Sequence, residues 1–512
     1  MPWEHLNTTR AGDCPVVSVT TGQTVTATYA LSRVSTGRSR VFWGYQLVVS
    51  VAGVDFTGRS QGESGSYLPA VRACADALQA AGWQLRVAGT APGYSESAMS
   101  GGAGFGYVEG VQGGVHIMST RDAADGPPVG PRSAHAMARS LHDSGGLKVR
   151  WHPRLDLAPA ALSGAVDLAD KVEGMMLGLA IGDALGNTSE SINPGDRRRR
   201  HGWIDAYLPN RHADGRAVGL PSDDTQLAFW TVEHLNQHGR LYPQLLGEMF
   251  CGRQIFGMGQ TMRGFVDNFR GGLPWHRSGD ASAGNGALMR IAPVLLPHLM
   301  RPSPDLWADT LMAAHLTHDD TLSNASCLAM VDMLWRLIGL SAAPDAQWWV
   351  AHWLAALDEV GLDTRYAARN GHPPGFEGTA ADLIRQHLLP ALRQGSDVLT
   401  ACSAWHSGAY LLETVPTVLY ILARHGDDPR EAMLQAVNHT RDNDTAAAIV
   451  GAAMGALHGA SCWPSAWVDG LLGRTTADDD GQVFRLLADA GAKFGFGASA
   501  RVRERAGAQH GR

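Results

Sequence analysis

Two short polar clusters contain the side chains best suited to chemistry in this sequence. Each combines two aspartates with hydroxyl groups ahead of a helical pattern: Ser222, Asp223, Asp224 and Thr225 in the first, and Asp442, Asp444 and Thr445 in the second. Free N–H groups and the helix dipole favour anionic groups at a helix start, so capping explains one aspartate per cluster. A neighbouring carboxylate is repelled unless a cation lies between them.

The occurrence of two clusters of the same type favours a divalent metal site. Two cations would relieve the repulsion among four converging carboxylates, and an all-oxygen ligand set points to Mg²⁺ or Mn²⁺ ahead of Zn²⁺. An EF-hand is disfavoured because the second cluster lacks the central glycine and distant glutamate of that loop. A phosphatase of the haloacid-dehalogenase type is disfavoured because residues 432–441 are helical and then polar, rather than a buried strand.

A glycine-rich turn and a histidine provide further candidate ligand contacts. Gly284 and Gly286 flank Asn285, shortly after Ser282. The backbone N–H groups of such a turn can cradle a phosphate, although a turn that only precedes a helix is the commoner case. His318 lies near a predicted helix boundary, where a structural role is the commoner one for a lone histidine.

Glycines spaced four residues apart indicate the elements that must position these clusters. They lie in two segments: Gly174, Gly178, Gly182 and Gly186 in one, and Gly451, Gly455 and Gly459 in the other. Glycine costs about 1 kcal/mol relative to alanine in a helix interior, so this spacing indicates close backbone packing. The apolar run is shorter than the roughly 20 residues of a membrane span. We therefore expect two buried helices that cross closely, one leading to Asp183 and Glu190 and the other starting at the second cluster.

The size and composition predict a soluble protein with more than one domain. A chain of 512 residues exceeds one ordinary core, and 45% hydrophobic residues are enough to form a sizeable interior. The net charge of −7 gives no indication of a nucleic-acid or anionic-membrane partner. The six cysteines form no Cys-x-x-Cys pair and no apolar signal segment opens the chain, so we expect reduced thiols in a cytoplasm and no structural zinc.

The hydrophobic periodicity predicts a multidomain fold, with a small α+β N-terminal module followed by an all-α helical domain. Residues 43–51 alternate like a strand, residues 68–78 follow a helical pattern, and shorter strands are expected at 83–87, 105–111 and 115–118. A Pro- and Gly-rich stretch at 121–131 indicates a linker. We assign residues 1–120 to the module, 121–167 to the linker, 168–498 to the helical domain and 499–512 to a flexible tail.

Four consecutive arginines, residues 197–200, lie between Glu190 and the first acidic cluster. Such a run is usually a solvated loop. It could instead hold a diphosphate or gate a cleft.

Six motifs in order make residues from about 170 to 495 resemble the ADP-ribosylglycohydrolase family, of the dinitrogenase-reductase-activating glycohydrolase type. The motifs occupy residues 182–190, 222–225, 284–290, 317–318, 413–416 and 442–445. Each is weak alone, whereas the ordered set is specific. The resemblance implies an all-α bundle with a binuclear Mg²⁺ or Mn²⁺ site in a central cleft, which releases ADP-ribose from a modified macromolecule or small conjugate.

The same resemblance implies roles for individual residues. The expected metal ligands are Ser222, Asp223, Asp224, Asp442, Asp444 and Thr445, with Ser222 keeping the hydroxyl where many members have threonine. The expected substrate contacts to ribose or phosphates are Ser282, Gly284, Asn285, Gly286 and His318. The expected catalytic residues are Glu190, Asp223 and Asp444. Glu190 is the candidate for proton transfer, whereas Asp183 is expected to be structural.

Two functions of different class remain open on the sequence. The first is a metal-dependent hydrolase that cleaves the glycosidic bond at ribose C1″ through an oxocarbenium-like transition state. The alternative is an immunity or binding protein whose N-terminal module blocks a cognate ADP-ribosyltransferase toxin, with or without hydrolysis. Hydrolysis of another nucleoside conjugate would use the same site. The linkage that carries the ADP-ribose is left open.

Overall fold

The computed structural model describes residues 3–19, 23–36, 43–60, 67–85, 87, 94–96, 105–108, 115–116 and 133–507. The chain divides into two compact units, Met1–Arg132 and Ser133–Arg512. Residues 121–132 of the predicted linker lie outside the described residues. Residues 133–167 fall in the second unit and include a helix, α2 (Ala134–Asp143).

The first unit contains a five-stranded antiparallel sheet in the order β4-β3-β2-β1-β5. Its strands are β1 (Trp3–Ser18), β2 (Thr24–Thr36), β3 (Trp43–Val51), β4 (Val54–Arg59) and β5 (Trp83–Leu85). Helix α1 (Leu68–Ala80) packs on one face, where its buried Val71 and Leu78 share a core with Leu47 of β3. A second sheet pairs β6 (Tyr94–Glu96), β7 (Phe105–Val108) and β8 (Val115–His116). The predicted α+β character of this module is confirmed.

The second unit is built mainly of helices. After α2 they are α3 (Leu168–Gly186), α4 (Pro194–His201), α5 (Asp223–His238), α6 (Pro243–Gly252), α7 (Gln260–Arg270), α8 (Asp305–His315), α9 (Thr321–Gly339), α10 (Ala346–Val360), α11 (Ala380–Leu383), α12 (Leu389–Gln394), α13 (Val398–Ala404), α14 (Leu411–His425), α15 (Pro429–His439), α16 (Asn443–His458), α17 (Ser465–Gly470), α18 (Gln482–Phe494) and α19 (Ala500–Gly507). Two minimal hairpins pair β9 (Pro209–Asn210) with β10 (Arg216–Ala217), and β11 (Tyr366–Ala367) with β12 (Glu377–Gly378). The predicted helical character is therefore confirmed, with small β additions.

The buried helices α3 and α16 cross with their glycine faces in contact, as the spacing predicts. A Cβ atom on Gly178 would lie 2.2 Å from the carbonyl oxygen of Gly451, and one on Gly451 would lie 2.1 Å from that of Gly178. A Cβ on Gly182 would likewise lie 2.2 Å from the oxygen of Ala447. Because real Cβ atoms do not approach backbone oxygens so closely, the crossing requires glycine. It brings the C-terminal end of α3 beside the start of α16.

The remaining segments of the second unit pack against this helical core. Arg154 joins Asp332 of α9 at 2.5 Å and Glu359 of α10 at 2.8 Å, which fixes the segment before α3. Residues 499–512, assigned above to a flexible tail, include α19 with Val502 buried. Across the described part of the chain, no helix is both long and apolar enough to cross a membrane.

Candidate metal centre

Asp183, near the end of α3, organises the first acidic cluster. Its carboxylate accepts hydrogen bonds from the backbone N–H and hydroxyl of Ser222 (2.9 and 2.6 Å) and from those of Thr225 (3.1 and 2.5 Å). Asn187 adds a fifth donor through Nδ2 at 3.0 Å. A buried carboxylate with this many donors fixes the loop that leads into α5. Asp183 therefore determines where Asp223 and Asp224 lie.

The acidic clusters do not serve as helix caps. Asp320 before α9 and Asp428 before α15 accept backbone N–H groups in the ordinary capping geometry. In contrast, the side chains of Ser222 before α5 and Asp442 before α16 make no capping bond to the described residues. Neither Ser222 nor Asp442 therefore caps the helix that follows it.

Carboxylate oxygens from three different segments meet where α3, α5 and α16 converge. One oxygen from each of Asp183, Asp224 and Asp444 lies within 4.8 Å of the others, and the same holds for Glu190, Asp442 and Asp444. Asp444 belongs to both groups. The Oδ1 atoms of Asp224 and Asp444 are buried and find no hydrogen-bond donor among the residues that the structure describes. Unpaired buried carboxylate oxygens fit hard cations such as Mg²⁺ or Mn²⁺.

Burial and mutual repulsion set the protonation behaviour of this cluster. Burial raises the pKa of Asp223, Asp224 and Asp444 well above the usual value for aspartate, and the neighbouring carboxylates raise it further. Both effects disfavour the charged form of the carboxylates. Bound cations would reverse the electrostatic part by stabilising the charged form.

Glu190 lies at the exposed rim of the cluster, one residue beyond a 3₁₀ turn (Asn187–Ser189) that follows α3. Partial burial of its carboxyl group, and then the charges of Asp442 and Asp183, raise its pKa to about 6. Its carboxylate is thus both near the candidate metal ligands Asp442 and Asp444 and accessible to solvent. This position suits a group that exchanges protons with water or with a leaving group.

Asn443 and Asn285 hold the second cluster in place. Asn443 is fully buried, and its Nδ2 donates to the carbonyl oxygen of Gly186 at 3.0 Å and to Ser189 Oγ at 3.1 Å. Asn285 Nδ2 donates to Asp442 Oδ2 at 2.6 Å. The start of α16 is therefore tied to the end of α3 on one side and to the glycine-rich turn on the other.

The glycine-rich turn packs directly on His318. A Cβ on Gly286 would lie 3.0 Å from Cε1 of His318, so a larger residue would displace the ring. Burial, assisted by the charge of Arg290, lowers the pKa of His318 to about 3 and keeps the imidazole neutral. Thr317 Oγ1 lies 2.8 Å from its Nδ1. Ser282 Oγ accepts from the N–H of Gly284 at 3.2 Å and closes the turn.

Of the candidate metal ligands, the structure thus brings Asp224, Asp442 and Asp444 into two carboxylate groups that share Asp444, whereas Asp223 belongs to neither group. Among the candidate substrate contacts, Asn285 lies beside them through its hydrogen bond to Asp442. Two further acidic residues belong to the same region. Asp183, expected to be structural or to support the ligands from behind, contributes an oxygen to one of the two groups. Glu413, the first residue of the motif at 413–416, is buried and accepts the N–H of Gly408 at 3.1 Å. Burial raises its pKa to about 7. The apolar surroundings of Glu413 in the sequence were the signal of a buried carboxylate.

Comparisons with known proteins connect this geometry to an enzyme family. The family model described as ADP-ribosylglycohydrolase matches residues 165–495. The ADP-ribosyl-[dinitrogen reductase] glycohydrolase of Rhodospirillum rubrum is 28% identical over 326 residues, which cover 63% of this chain and 97% of that protein. The ADP-ribosylarginine hydrolase Tri1 of Pseudomonas putida is 26% identical over 317 residues, covering 59% of this chain and 74% of that protein. A solved structure titled ADP-ribosylglycohydrolase-related protein complex is 24% identical with a TM-score of 0.45, covering 64% of this chain and 98% of that one.

Proposed function

The chain belongs to the ADP-ribosylglycohydrolase family, and on this premise we propose that it is a metal-dependent hydrolase that removes ADP-ribose by cleaving the glycosidic bond at ribose C1″. The observation that carries the proposal is that carboxylate oxygens of Asp183, Asp224 and Asp444 meet, and that the buried Oδ1 atoms of Asp224 and Asp444 find no donor among the described residues. Arginine-linked ADP-ribose is the first substrate to test, because two similar proteins are named ADP-ribosylarginine hydrolases. An ADP-ribosylated macromolecule or small conjugate is the expected partner.

The proposed cofactor is a pair of Mg²⁺ or Mn²⁺ ions. Ser222, Asp223 and Asp224 would hold them from one side, and Asp442, Asp444 and Thr445 from the other. Such ions orient ribose hydroxyls, lower the pKa of bound water and stabilise developing negative charge. The fit rests on the donor set, since oxygen ligands with several negative charges suit hard divalent cations.

Glu190 is the proposed proton-transfer residue. Its carboxylate is exposed at the rim beside Asp442 and Asp444, so it can reach both an attacking water and the departing group. The neutral His318 and the turn at Ser282 to Gly286 would line the distal part of the substrate. The turn offers backbone N–H groups to ribose or phosphate oxygens.

The decisive experiment measures free ADP-ribose released from ADP-ribosyl-arginine and ADP-ribosyl-serine peptides, with Mg²⁺, with Mn²⁺ and with chelator. Metal-dependent release from one peptide supports the proposal and identifies the linkage. The Asp444→Asn variant is expected to lose release, whereas Asp469→Asn, an exposed aspartate paired with Arg501, is expected to keep it. Equal release in chelator would contradict metal dependence.

A second candidate function is supported by the separate N-terminal unit. The unit Met1–Arg132 is compact and has a hydrophobic core of its own. It lies outside the region that matches the family, so the family's activity does not account for it. It would bind and block an ADP-ribosyltransferase toxin. Protection of cells that survives in an Asp223→Ala, Asp444→Ala double variant would favour blocking over hydrolysis.

A further inference from the structure

One of the four consecutive arginines has a role that the run itself does not reveal. Helix α4 carries all four, and Arg198, Arg199 and Arg200 are exposed, as expected for a solvated face. Arg197 is fully buried. A ligand diphosphate therefore cannot reach its guanidinium, and the interpretation of Arg197 as a diphosphate contact is wrong.

The guanidinium of Arg197 instead donates to backbone carbonyl oxygens of two separate segments. On the Glu190 side, Nη2 donates to the oxygens of Ser189 at 3.3 Å and Ile192 at 3.0 Å. These two carbonyls flank Glu190 in the sequence. The backbone that carries the candidate proton-transfer residue is thus held from both sides.

The other acceptors belong to the segment that leads into the second acidic cluster. Nη1 donates to the oxygens of Thr440 at 2.6 Å and Val437 at 3.1 Å, and Nη2 donates to that of Arg441 at 3.4 Å. Residues 440 and 441 immediately precede Asp442. One side chain therefore connects the loop of Glu190 to the start of α16.

A buried charge of this kind is costly unless it is compensated. Burial lowers the pKa of Arg197 to about 10, and the nearby Asp444 opposes that shift, so the side chain stays protonated at neutral pH. Only a planar guanidinium presents donors in two directions at once, whereas a lysine ammonium is a single point. The geometry requires arginine at this position.

We propose that Arg197 is a positioning residue of the active site, which fixes the loop of Glu190 against the segment that carries Asp442 and Asp444. The proposal rests on the proposed hydrolase function. Arg197 is fully buried, and its guanidinium donates only to backbone carbonyl oxygens among the described residues, so it acts by holding the Glu190 loop in place rather than by touching substrate. Its loss is expected to leave substrate binding in place while it misplaces the proton-transfer carboxylate.

The test compares kcat and KM of Arg197→Lys in two backgrounds, the natural chain and Glu190→Gln. In the natural chain kcat is expected to fall about 10- to 100-fold, as for other residues that orient ligands from behind, with KM changed less than about threefold. In the Glu190→Gln background the same change is expected to have little further effect. An equal fall in both backgrounds would overturn the proposal.

Arg154→Lys is the matched control, because Arg154 is also a largely buried arginine but pairs with Asp332 and Glu359 away from the acidic cluster. It is expected to lower the melting temperature while kcat stays within about twofold. A fall in kcat equal to that of Arg197→Lys at equal loss of melting temperature would show a general stability effect and overturn the proposal.

Two further measurements keep the test decisive. Asn193→Ala removes an exposed hydrogen bond to Arg441 that joins the same two segments, and it is expected to fold and to lower kcat in the same direction. If the Arg197 variants unfold and Asn193→Ala retains full kcat, the proposal fails. If the natural chain releases no ADP-ribose, the hydrolase function fails, and faster amide exchange at residues 189–192 in Arg197→Lys still decides whether Arg197 fixes the loop.

Discussion

At the scale of single residues, aspartates in this protein fall into two kinds. Asp320 and Asp428 accept backbone N–H groups at helix starts and are satisfied by the fold. Asp224 and Asp444 each keep a buried oxygen without a donor in the described part of the chain. A buried, unpaired carboxylate oxygen destabilises the folded protein. We therefore expect a bound metal ion to stabilise the folded protein through Asp224 and Asp444, in addition to its proposed part in the reaction.

The effect of Asp224→Asn on the free energy of unfolding is expected to change sign between chelator and Mg²⁺. In chelator the variant should be as stable as the natural chain or more so, because one repelling charge is removed from the cluster. With Mg²⁺ the natural chain should gain about 2.7 kcal/mol at a concentration 100 times its Kd, and the variant much less. Urea unfolding with and without Mg²⁺ measures both. A variant that is destabilised in chelator would show that Asp224 stabilises the fold directly.

His234 provides a prediction of acid sensitivity away from the acidic cluster. Burial, with a contribution from His238, lowers its pKa to about 3, so it stays neutral in the folded chain while the unfolded chain gains a proton below about pH 6.5. The free energy of unfolding therefore falls as pH decreases through this range. His234→Gln should lessen the loss between pH 7 and pH 5 by about 2 kcal/mol. The exposed His201→Gln is the control, and equal pH slopes in the two variants would refute the assignment.

At the scale of elements, the site depends on the crossing of α3 and α16. The crossing places Asp183 and the Glu190 loop at one end of α3, directly beside the start of α16. Helix-to-helix contact through glycine brings the backbones themselves together, so the geometry does not depend on side-chain rotamers. The candidate metal ligands at the ends of these helices are therefore held in fixed positions.

Gly178→Ala is expected to separate the two helices. Its Cβ would lie 2.2 Å from the carbonyl oxygen of Gly451, so the backbone must shift, and the cost should exceed the gain of about 1 kcal/mol in helix propensity. We expect a net loss of about 2 kcal/mol in thermal or urea unfolding. Gly252→Ala in α6 is the control, because its Cβ meets nothing within 4 Å among the described residues. An equal change in the free energy of unfolding in the two variants would mean that the helices at this crossing have room for a Cβ atom.

The sequence allowed prediction of this crossing and of the clusters because both depend on local patterns. Four-residue glycine spacing is visible without a structure, and so is Asp-Asn-Asp-Thr at a helix start. The hairpin of β1 and β2 was not predicted, although Val25, Ala27 and Tyr29 alternate in β2. The burial of Arg197 was also beyond prediction, because its acceptors at residues 437–441 are more than two hundred positions away.

At the scale of the whole molecule, each unit has a hydrophobic core of its own. The first core includes Tyr45, Leu47 and Leu78, and the second extends through the helices from α2 to α19. The match to the family lies entirely within the second unit. Independent cores are the basis of independent folding.

Residues 133–512 alone are therefore expected to fold and to retain hydrolysis. Their kcat on an ADP-ribosyl peptide and their stabilisation by Mg²⁺ should match those of the full chain within about twofold, because every proposed ligand is included. Circular dichroism and product release measure the two properties. Loss of activity in a folded fragment would assign part of the site, or of substrate recognition, to the N-terminal unit.

The glycine crossing also makes the positions of the acidic clusters depend on the number of residues in α3 and α16. Each residue of an α-helix advances the chain by 1.5 Å and turns it by about 100°. Deleting a single residue from the middle of α16 would rotate its first turn away from α3 unless the glycine register were given up. A change in the length of either helix would therefore separate the two acidic clusters, even if every remaining side chain were kept.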